Sequence, residues 1–485
     1  MKTTLLSIFI LLILSSCKNS KNHEVIIQGK VVGKIPEEIL YSFPVNGINY
    51  EWFNESAPVD SLGNFEISIQ IDEPCFISFY LGNRGQLIAE PGNNCTLTIE
   101  SKDFEIDINY DCYNAEVQHA YQKLESPIHP QFEVMKLWEL SPSETKHRID
   151  SLLGVERAYF NEQVNNNVLS SQLFDLIMFD RSLFYTTVLE EVALHHFLAA
   201  KRQNLRANTD SINEFWEQTI KRIPLNSAQL LKSKWAYYHI QNYLQFQEYT
   251  AENFSWEDRK NARQEERIHS YLIDISKENL SGEVLEFYIA SYLLSSANQH
   301  KFENELIPLF EDFKSEFPKS KYTAFLELPV EKIVEFQKKS EQEYGEDVRF
   351  LDNYEKLNSL DECLKHFEGK KVYVDIWATS CGPCKKEFAF SEELKALLRS
   401  ANTDILYIST DRESEDQRWK DMIKYYQLNG NHIRVNKMLK DDLRTILGRY
   451  GIPRYLLIDE NGEIVNDDAP RPSDLDALKK ELMNL

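Results

Sequence analysis

The chain has 485 residues, too many for one ordinary hydrophobic core, so two to three domains are expected. Its 42% hydrophobic and 12% aromatic residues are a globular composition, which excludes wholesale disorder. Acidic residues outnumber basic ones by 77 to 54, and the formal charge of -23 repels phosphate backbones, so nucleic acid is not expected as a partner.

At the N-terminus, Met1-Lys2 gives a short positive region and Leu5 to Leu14 an almost unbroken apolar run. A run of this length falls short of the ~20 residues that a membrane-spanning helix needs, and with its flanks it fits a secretory signal peptide over 1–16. The run ends in Leu14-Ser15-Ser16-Cys17, which resembles a bacterial lipobox. That resemblance implies lipid attachment at Cys17 and a lipidated tether over 17–23, the alternative being an ordinary signal peptide with an incidental cysteine. No later segment is long and apolar enough to cross a membrane. The expected location is the cell envelope, lipid-anchored and facing the periplasm, on the outer or inner membrane. Six cysteines remain, at positions 75, 95, 112, 363, 381 and 384. In an oxidising compartment these are too few for a disulfide scaffold. Only Cys381 and Cys384 are closely spaced, and whether Cys95 pairs with Cys112 stays open at this point.

Residues 24–108 read as a β-sandwich. Val25-Ile26-Ile27, Phe65 to Ile69 and Cys95 to Ile99 carry β-branched or alternating patterns, punctuated by Leu62-Gly63-Asn64 and Pro91-Gly92-Asn93-Asn94. The stretch Val59 to Phe65, with Glu73-Pro74 and Glu90-Pro91-Gly92, resembles an uncharacterised domain found ahead of TlpA-like thioredoxins. This implies architecture and no activity.

Residues 109–345 read as a helical domain, with apolar and aromatic residues at three- and four-residue spacing in Ser170 to Arg202 and Leu230 to Gln247. No fixed repeat is visible. The adjacent His195-His196 point about 100° apart on a helix and are expected in core or surface roles, not as a chelating pair. Trp235, Tyr237 and Tyr238 are expected to form a core stripe.

From 346 to 485 strands alternate with helices. A helix from Ser359 places Leu360, Cys363, Leu364 and Phe367 on one face and stops before Gly369, ahead of the strand Lys371 to Ile376. The next helix follows Cys384, and then comes a strand Asp404 to Ser409. Ser414-Glu415-Asp416-Gln417 is a capping-box pattern. Arg454 to Asp459 and Glu463 to Val465 flank Asn461-Gly462 as a hairpin, and Ser473 is expected to cap the terminal helix. The fold class is therefore multidomain: an N-terminal β-sandwich, a helical middle region and a C-terminal α/β layer structure.

The chemistry-bearing motif is Cys381-Gly382-Pro383-Cys384, following a strand and opening a helix. At a helix N-terminus, unpaired backbone N–H groups and the macrodipole favour a thiolate. That setting lowers a thiol pKa from ~8.5 toward ~7 or below. Two intervening residues allow disulfide geometry, and Pro383 suits the first helical turn. Cys381 is thus the expected nucleophile and Cys384 the resolving thiol, a redox-active pair.

Val374-Asp375-Ile376-Trp377-Ala378-Thr379-Ser380 leading into this motif resembles the thioredoxin active-site strand and turn. Lys385-Lys386-Glu387 and Gly451-Ile452-Pro453-Arg454-Tyr455 resemble the TlpA/ResA branch. The resemblance covers roughly the last 140 residues. It implies a thioredoxin-like fold, a cis Pro453 facing the dithiol, Ile452 presenting its backbone to substrate, and Trp377 in the substrate-binding surface. It also implies that Asp375 is a buried carboxyl taking the Cys384 proton, against a purely structural role, and that Glu387 tunes thiol ionisation, against a surface or capping role. The family commonly has Trp where this chain has Ser380, so substrate grip is expected to differ.

Cys363, His366, Cys381 and Cys384 superficially offer four zinc ligands with a plausible gap. Cys363 falls on an apolar helix face and reads better as core, so no metal or cofactor is expected. The expected function is that of a thiol–disulfide oxidoreductase reducing disulfides of exported proteins, recharged by a DsbD-like or CcdA-like membrane electron donor. The alternatives are a lipid-tethered ligand- or protein-binding protein that uses the thioredoxin fold as a scaffold, and redox-gated presentation of a client by the helical region.

Overall fold

The computed structural model of the protein describes residues 23–42, 55–81, 84–102, 105–124, 130–202, 206–227, 229–252, 254–448 and 451–483. The expected signal peptide, and Cys17 with most of its tether, lie outside the described residues. The chain forms two compact units, Met1–Ser255 with Ile275–Tyr288, and Trp256–Asp274 with Ile289–Leu485. The expected helical region is therefore divided between them.

Among the described residues of the first unit, eight strands build two sheets. They are β1 (Glu24–Gly33), β2 (Glu38–Ser42), β3 (Glu55–Pro58), β4 (Asn64–Gln70), β5 (Cys75–Tyr80), β6 (Arg84–Ala89), β7 (Cys95–Lys102) and β8 (Glu105–Asp111). The orders are β4-β1-β7-β8 and β3-β2-β5-β6. Alternation drives the packing: Val25, Ile27 and Val31 of β1 and Phe65, Ile67 and Ile69 of β4 face a core shared with Ile39, Ile77, Phe79 and Leu87 of the other sheet. Gly29 is required because a Cβ there would stand 2.1 Å from the Phe65 ring paired opposite it. β1 and β7 pair in parallel, a long-range pairing that strand patterns alone do not encode.

The helices of this unit centre on Ser171–Arg202, which is buried on nearly every side. Its buried charges Asp180, Arg181 and Glu190 are paired. Arg181 donates to Glu156 through Nε at 2.8 Å and Nη2 at 2.9 Å, and His239 Nδ1 lies 2.7 Å from Glu190 Oε1. The His196 ring lies 3.2 Å from the Leu140 carbonyl, and His195 meets Trp138 edge-on.

In the second unit, six strands form one sheet: β9 (Val348–Phe350), β10 (Lys371–Trp377), β11 (Thr403–Ser409), β12 (Gly430–Arg434), β13 (Arg454–Ile458) and β14 (Ile464–Asn466), in the order β14-β13-β10-β11-β12-β9. β10 is parallel to β11 and antiparallel to β13. It is buried on both faces. Val372, Val374 and Ile376 join Leu360, Cys363, Leu439 and Leu443 on one side, while Tyr373 joins Leu394, Leu398, Leu478 and Leu482 on the other. Helices thus cover both faces, as a mostly parallel buried sheet demands.

Helix Thr323–Ser340 also packs in this unit, against helix Asp416–Tyr425. Phe302 and Phe336 stack at 4.4 Å, and both rings meet Tyr425. Two expected caps are corrected. Helix Asp416–Tyr425 follows a 3-10 turn at Glu413–Glu415, and its cap Glu415 makes no side-chain capping bond, so the Ser414 capping box does not form. The terminal helix Leu475–Leu482 is capped by Asp474, whose carboxylate accepts from the Ala477 N–H at 3.1 Å. Ser473 is drawn elsewhere.

Candidate active site

The short helix Gly382–Glu387 begins at the end of the central strand β10, with Cys381 as its N-cap residue. Cys381 and Cys384 are joined as a disulfide with Cα atoms 5.3 Å apart. The Cys384 N–H points at Cys381 Sγ from 3.1 Å, so a first-turn donor is already aimed at the sulfur that would carry charge once the bond is reduced. Cys381 is 7% exposed and Cys384 is fully buried. The flanking Ser380, Gly382 and Pro383 are exposed. Access is therefore to the first sulfur, over a small tip.

The approach to Cys381 is held by Asp411, just beyond β11. Its carboxylate accepts from the Thr379 N–H and hydroxyl and from the Ser409 hydroxyl, each at 2.8 Å. Thr410 N–H donates to the Trp377 carbonyl at 2.9 Å and ties the ends of β10 and β11 together. Asp411 and Thr379 were missed in the sequence. The signal was a buried-type acid immediately after a strand end, where sheet chemistry concentrates.

Strand alternation puts Asp375 on the same face as Tyr373 and Trp377. It is 1% exposed, and its Oδ1 has no hydrogen-bond partner. Burial, with the Glu387 charge adding to it, holds this carboxyl well above the usual carboxylate range. Glu387 is itself buried. It accepts from the Ser473 N–H at 3.0 Å and the Ser473 hydroxyl at 3.2 Å, with Arg471 Nη1 3.9 Å away. This is where Ser473 goes instead of capping its helix. The pairing reaches over 86 residues of sequence, beyond any local pattern.

The Ile452–Pro453 bond is cis. Pro453 immediately precedes β13, whose Arg454 pairs with Ile376 of β10, so the ladder brings it to the sheet end from which Cys381 emerges. Ile452 is half-buried against the apolar cluster below. Trp377 requires a correction. It is fully buried with its ring edge-on to Phe388 at 5.1 Å, and with no exposed surface it supports the dithiol helix from beneath rather than touching a substrate. Cys363 is likewise core, its thiol donating to the Ser359 carbonyl at 3.3 Å.

One group beside the dithiol had no assigned role. Lys385 lies four residues after Cys381, hence on the same helix face. It is buried, and its ammonium donates to the His300 carbonyl at 3.1 Å. Burial, with Arg418 and Lys301 adding to it, lowers its pKa to about 8. His300 and Phe302 both have positive φ, 51° and 55°, and this turn aims the carbonyl at the lysine.

A sheet with helices on both faces, and a cysteine pair opening a helix after its central strand, defines a thioredoxin-like domain. Residues 347–481 match the family described as Redoxin, and the C-terminal region is a Redoxin domain. The chain is similar to thiol-disulfide oxidoreductase ResA of Bacillus thuringiensis subsp. konkukian, 30% identical over 107 residues covering 21% of this chain and 57% of that protein. ResA of Halalkalibacterium halodurans is 32% identical over 106 residues, 21% of this chain and 55% of that protein. Among solved structures, the thioredoxin domain of a thiol-disulfide oxidoreductase from Bacteroides vulgatus is 28% identical, covering 25% of this chain and 82% of that one, with a TM-score of 0.22. The chain spans about half the length of the curated relatives it matches.

Proposed function

We propose that this chain is a thiol–disulfide oxidoreductase that reduces disulfides of exported proteins. The observation that carries this reading is the Cys381–Cys384 disulfide at a helix N-terminus, with a backbone N–H on the accessible sulfur. In the reduced enzyme the Cys381 thiolate attacks a client disulfide, forming a mixed disulfide and releasing one client thiolate. Cys384 then gives up its proton, attacks Cys381 Sγ, reforms the internal disulfide and releases the second client sulfur. Two electrons pass from the enzyme to the client.

Asp375, when ionised, serves as the proton acceptor for Cys384, because burial raises its affinity for a proton above that of an ordinary carboxylate. Glu387 holds charge near that carboxyl and is itself fixed by Ser473. The cis Pro453 and the Ile452 backbone form the client-facing edge. Recharging requires a dithiol donor at the membrane, of the DsbD or CcdA type. Lipidation at Cys17 would keep the domain at the envelope, and among the described residues no helix is long and apolar enough to cross a membrane.

Reduction of insulin by the full chain in dithiothreitol tests the reading. Turnover should fall to the uncatalysed background in both Cys381→Ser and Cys384→Ser, and undiminished turnover in both variants would reject it. Cys384→Ala should accumulate mixed disulfides with client proteins through Cys381.

A further inference from the structure

A second pair of cysteines lies in the β-sandwich of the first unit. β7 and β8 are antiparallel with Thr96 opposite Asp111 and Lys102 opposite Glu105. Continued by one residue past the strand end at Asp111, that register would set Cys95 opposite Cys112. Directly opposed residues of an antiparallel pair have Cα atoms about 4.5–5.5 Å apart, within the roughly 4.4–6.8 Å that a disulfide spans. Both are free thiols: Cys95 Sγ donates to the Thr96 carbonyl at 3.8 Å and Cys112 Sγ to Asn114 Oδ1 at 3.4 Å. Both pack on the sandwich core, Cys95 buried and Cys112 half-buried.

We propose that Cys95 and Cys112 are a second redox-active pair, closing as a cross-strand disulfide in an oxidising environment. The two sulfurs are not equivalent. Cys112 is the more exposed, and its interaction with the neighbouring Cys95 thiol holds it below the ordinary range, whereas that same interaction and burial push Cys95 up. Cys112 is therefore the attacking thiolate. It displaces one thiolate from a disulfide such as oxidised glutathione and forms a mixed disulfide. Cys95 then loses its proton, attacks Cys112 Sγ and releases the second thiolate. Two electrons leave the pair and reduce one disulfide. Cys75, the third cysteine of the sandwich, is opposite Ala89 in the other sheet, and burial raises its thiol to about 12, so it stands outside this exchange.

The position gives the bond a consequence. Cys112 lies just before helix Ala115–Gln122, whose Gln118 amide donates to the Ile88 carbonyl at 2.8 Å and accepts from the Ile88 N–H at 3.0 Å. Closure would tie β7 to the segment that enters this helix. The sandwich-to-helix junction would then be tighter when oxidised than when reduced.

The test uses the full-length chain equilibrated with oxidised glutathione or with dithiothreitol, alkylated, and digested without reduction for peptide mass analysis. The expected result is a peptide pair joined through Cys95 and Cys112 and lighter by two hydrogens. Its recovery should be about tenfold or more higher in oxidised glutathione than in dithiothreitol. Cys75 and Cys363 should be recovered as alkylated thiols. In Cys112→Ser, Cys95 should be recovered as a thiol under both conditions. The proposal is overturned if Cys95 and Cys112 remain thiols while Cys381–Cys384 in the same sample is oxidised. A link from either residue to Cys75, or a glutathione adduct that persists on Cys112 beside a free Cys95, would overturn it equally.

Discussion

Among the residues at the site, Asp375 couples burial to charge. A carboxyl that is fully buried with an unpaired oxygen destabilises the fold whenever it ionises. Its native pKa is raised, so above the ordinary carboxylate range the native state holds a proton that the unfolded state has lost. Stability contributed by this group is therefore lost as pH rises through that window. Asp375→Asn should melt higher than the parent at pH 8, with the gap closing toward about pH 4, while insulin turnover falls on the order of 10²-fold. A gap that does not change with pH would remove the raised carboxyl from the account. Lys385 acts in the opposite sense. Its pKa of about 8 lies below the ordinary 10.5, so the unfolded state binds the extra proton between those values and stability rises with pH across them. Lys385→Gln, which retains a donor for the His300 carbonyl, should be more stable than the parent at pH 7 and no different above pH 10.5. Thermal melts across that range check it.

Individual elements show how far local pattern reaches. The strand Lys371–Trp377 and the helix opened by Cys381 were legible because a two-faced apolar run and an N-terminal Cys-Gly-Pro-Cys carry their own signals. The caps at Ser414 and Ser473 were misread. Ser473 has a stronger partner in buried Glu387, and Asp474 beside it takes the cap. Helix Thr323–Ser340 read only as part of a helical middle region, yet Phe336 is buried against Phe302 and Tyr425. Phe336→Ala should destabilise the second unit by about 3–5 kcal/mol, read as a lower urea midpoint for the loss of Trp377 and Trp419 fluorescence. An effect below about 1 kcal/mol would mean that this helix is only loosely attached.

At the scale of the whole molecule, the described residues of the first unit form apolar clusters in the sandwich and among its helices, and those of the second form clusters on both faces of its sheet. Two-state unfolding is not expected of such a chain. Calorimetry should resolve two transitions, and reduction of Cys381–Cys384 should move the one that belongs to the second unit. One cooperative transition under all redox conditions would contradict this division.

What the sequence determined by itself was local: the alternation of the sandwich strands, the strand–dithiol–helix unit, the hairpin at Asn461-Gly462 and the core placement of Cys363. Each rests on residues within a few positions of one another, where backbone periodicity and capping set the outcome. Tertiary structure decided the burial of Trp377, the Ser473–Glu387 pairing, the raised carboxyl of Asp375 and the lowered ammonium of Lys385. All of these depend on chain segments brought together across a sheet or over a helix, because desolvation and charge act through space rather than along the sequence.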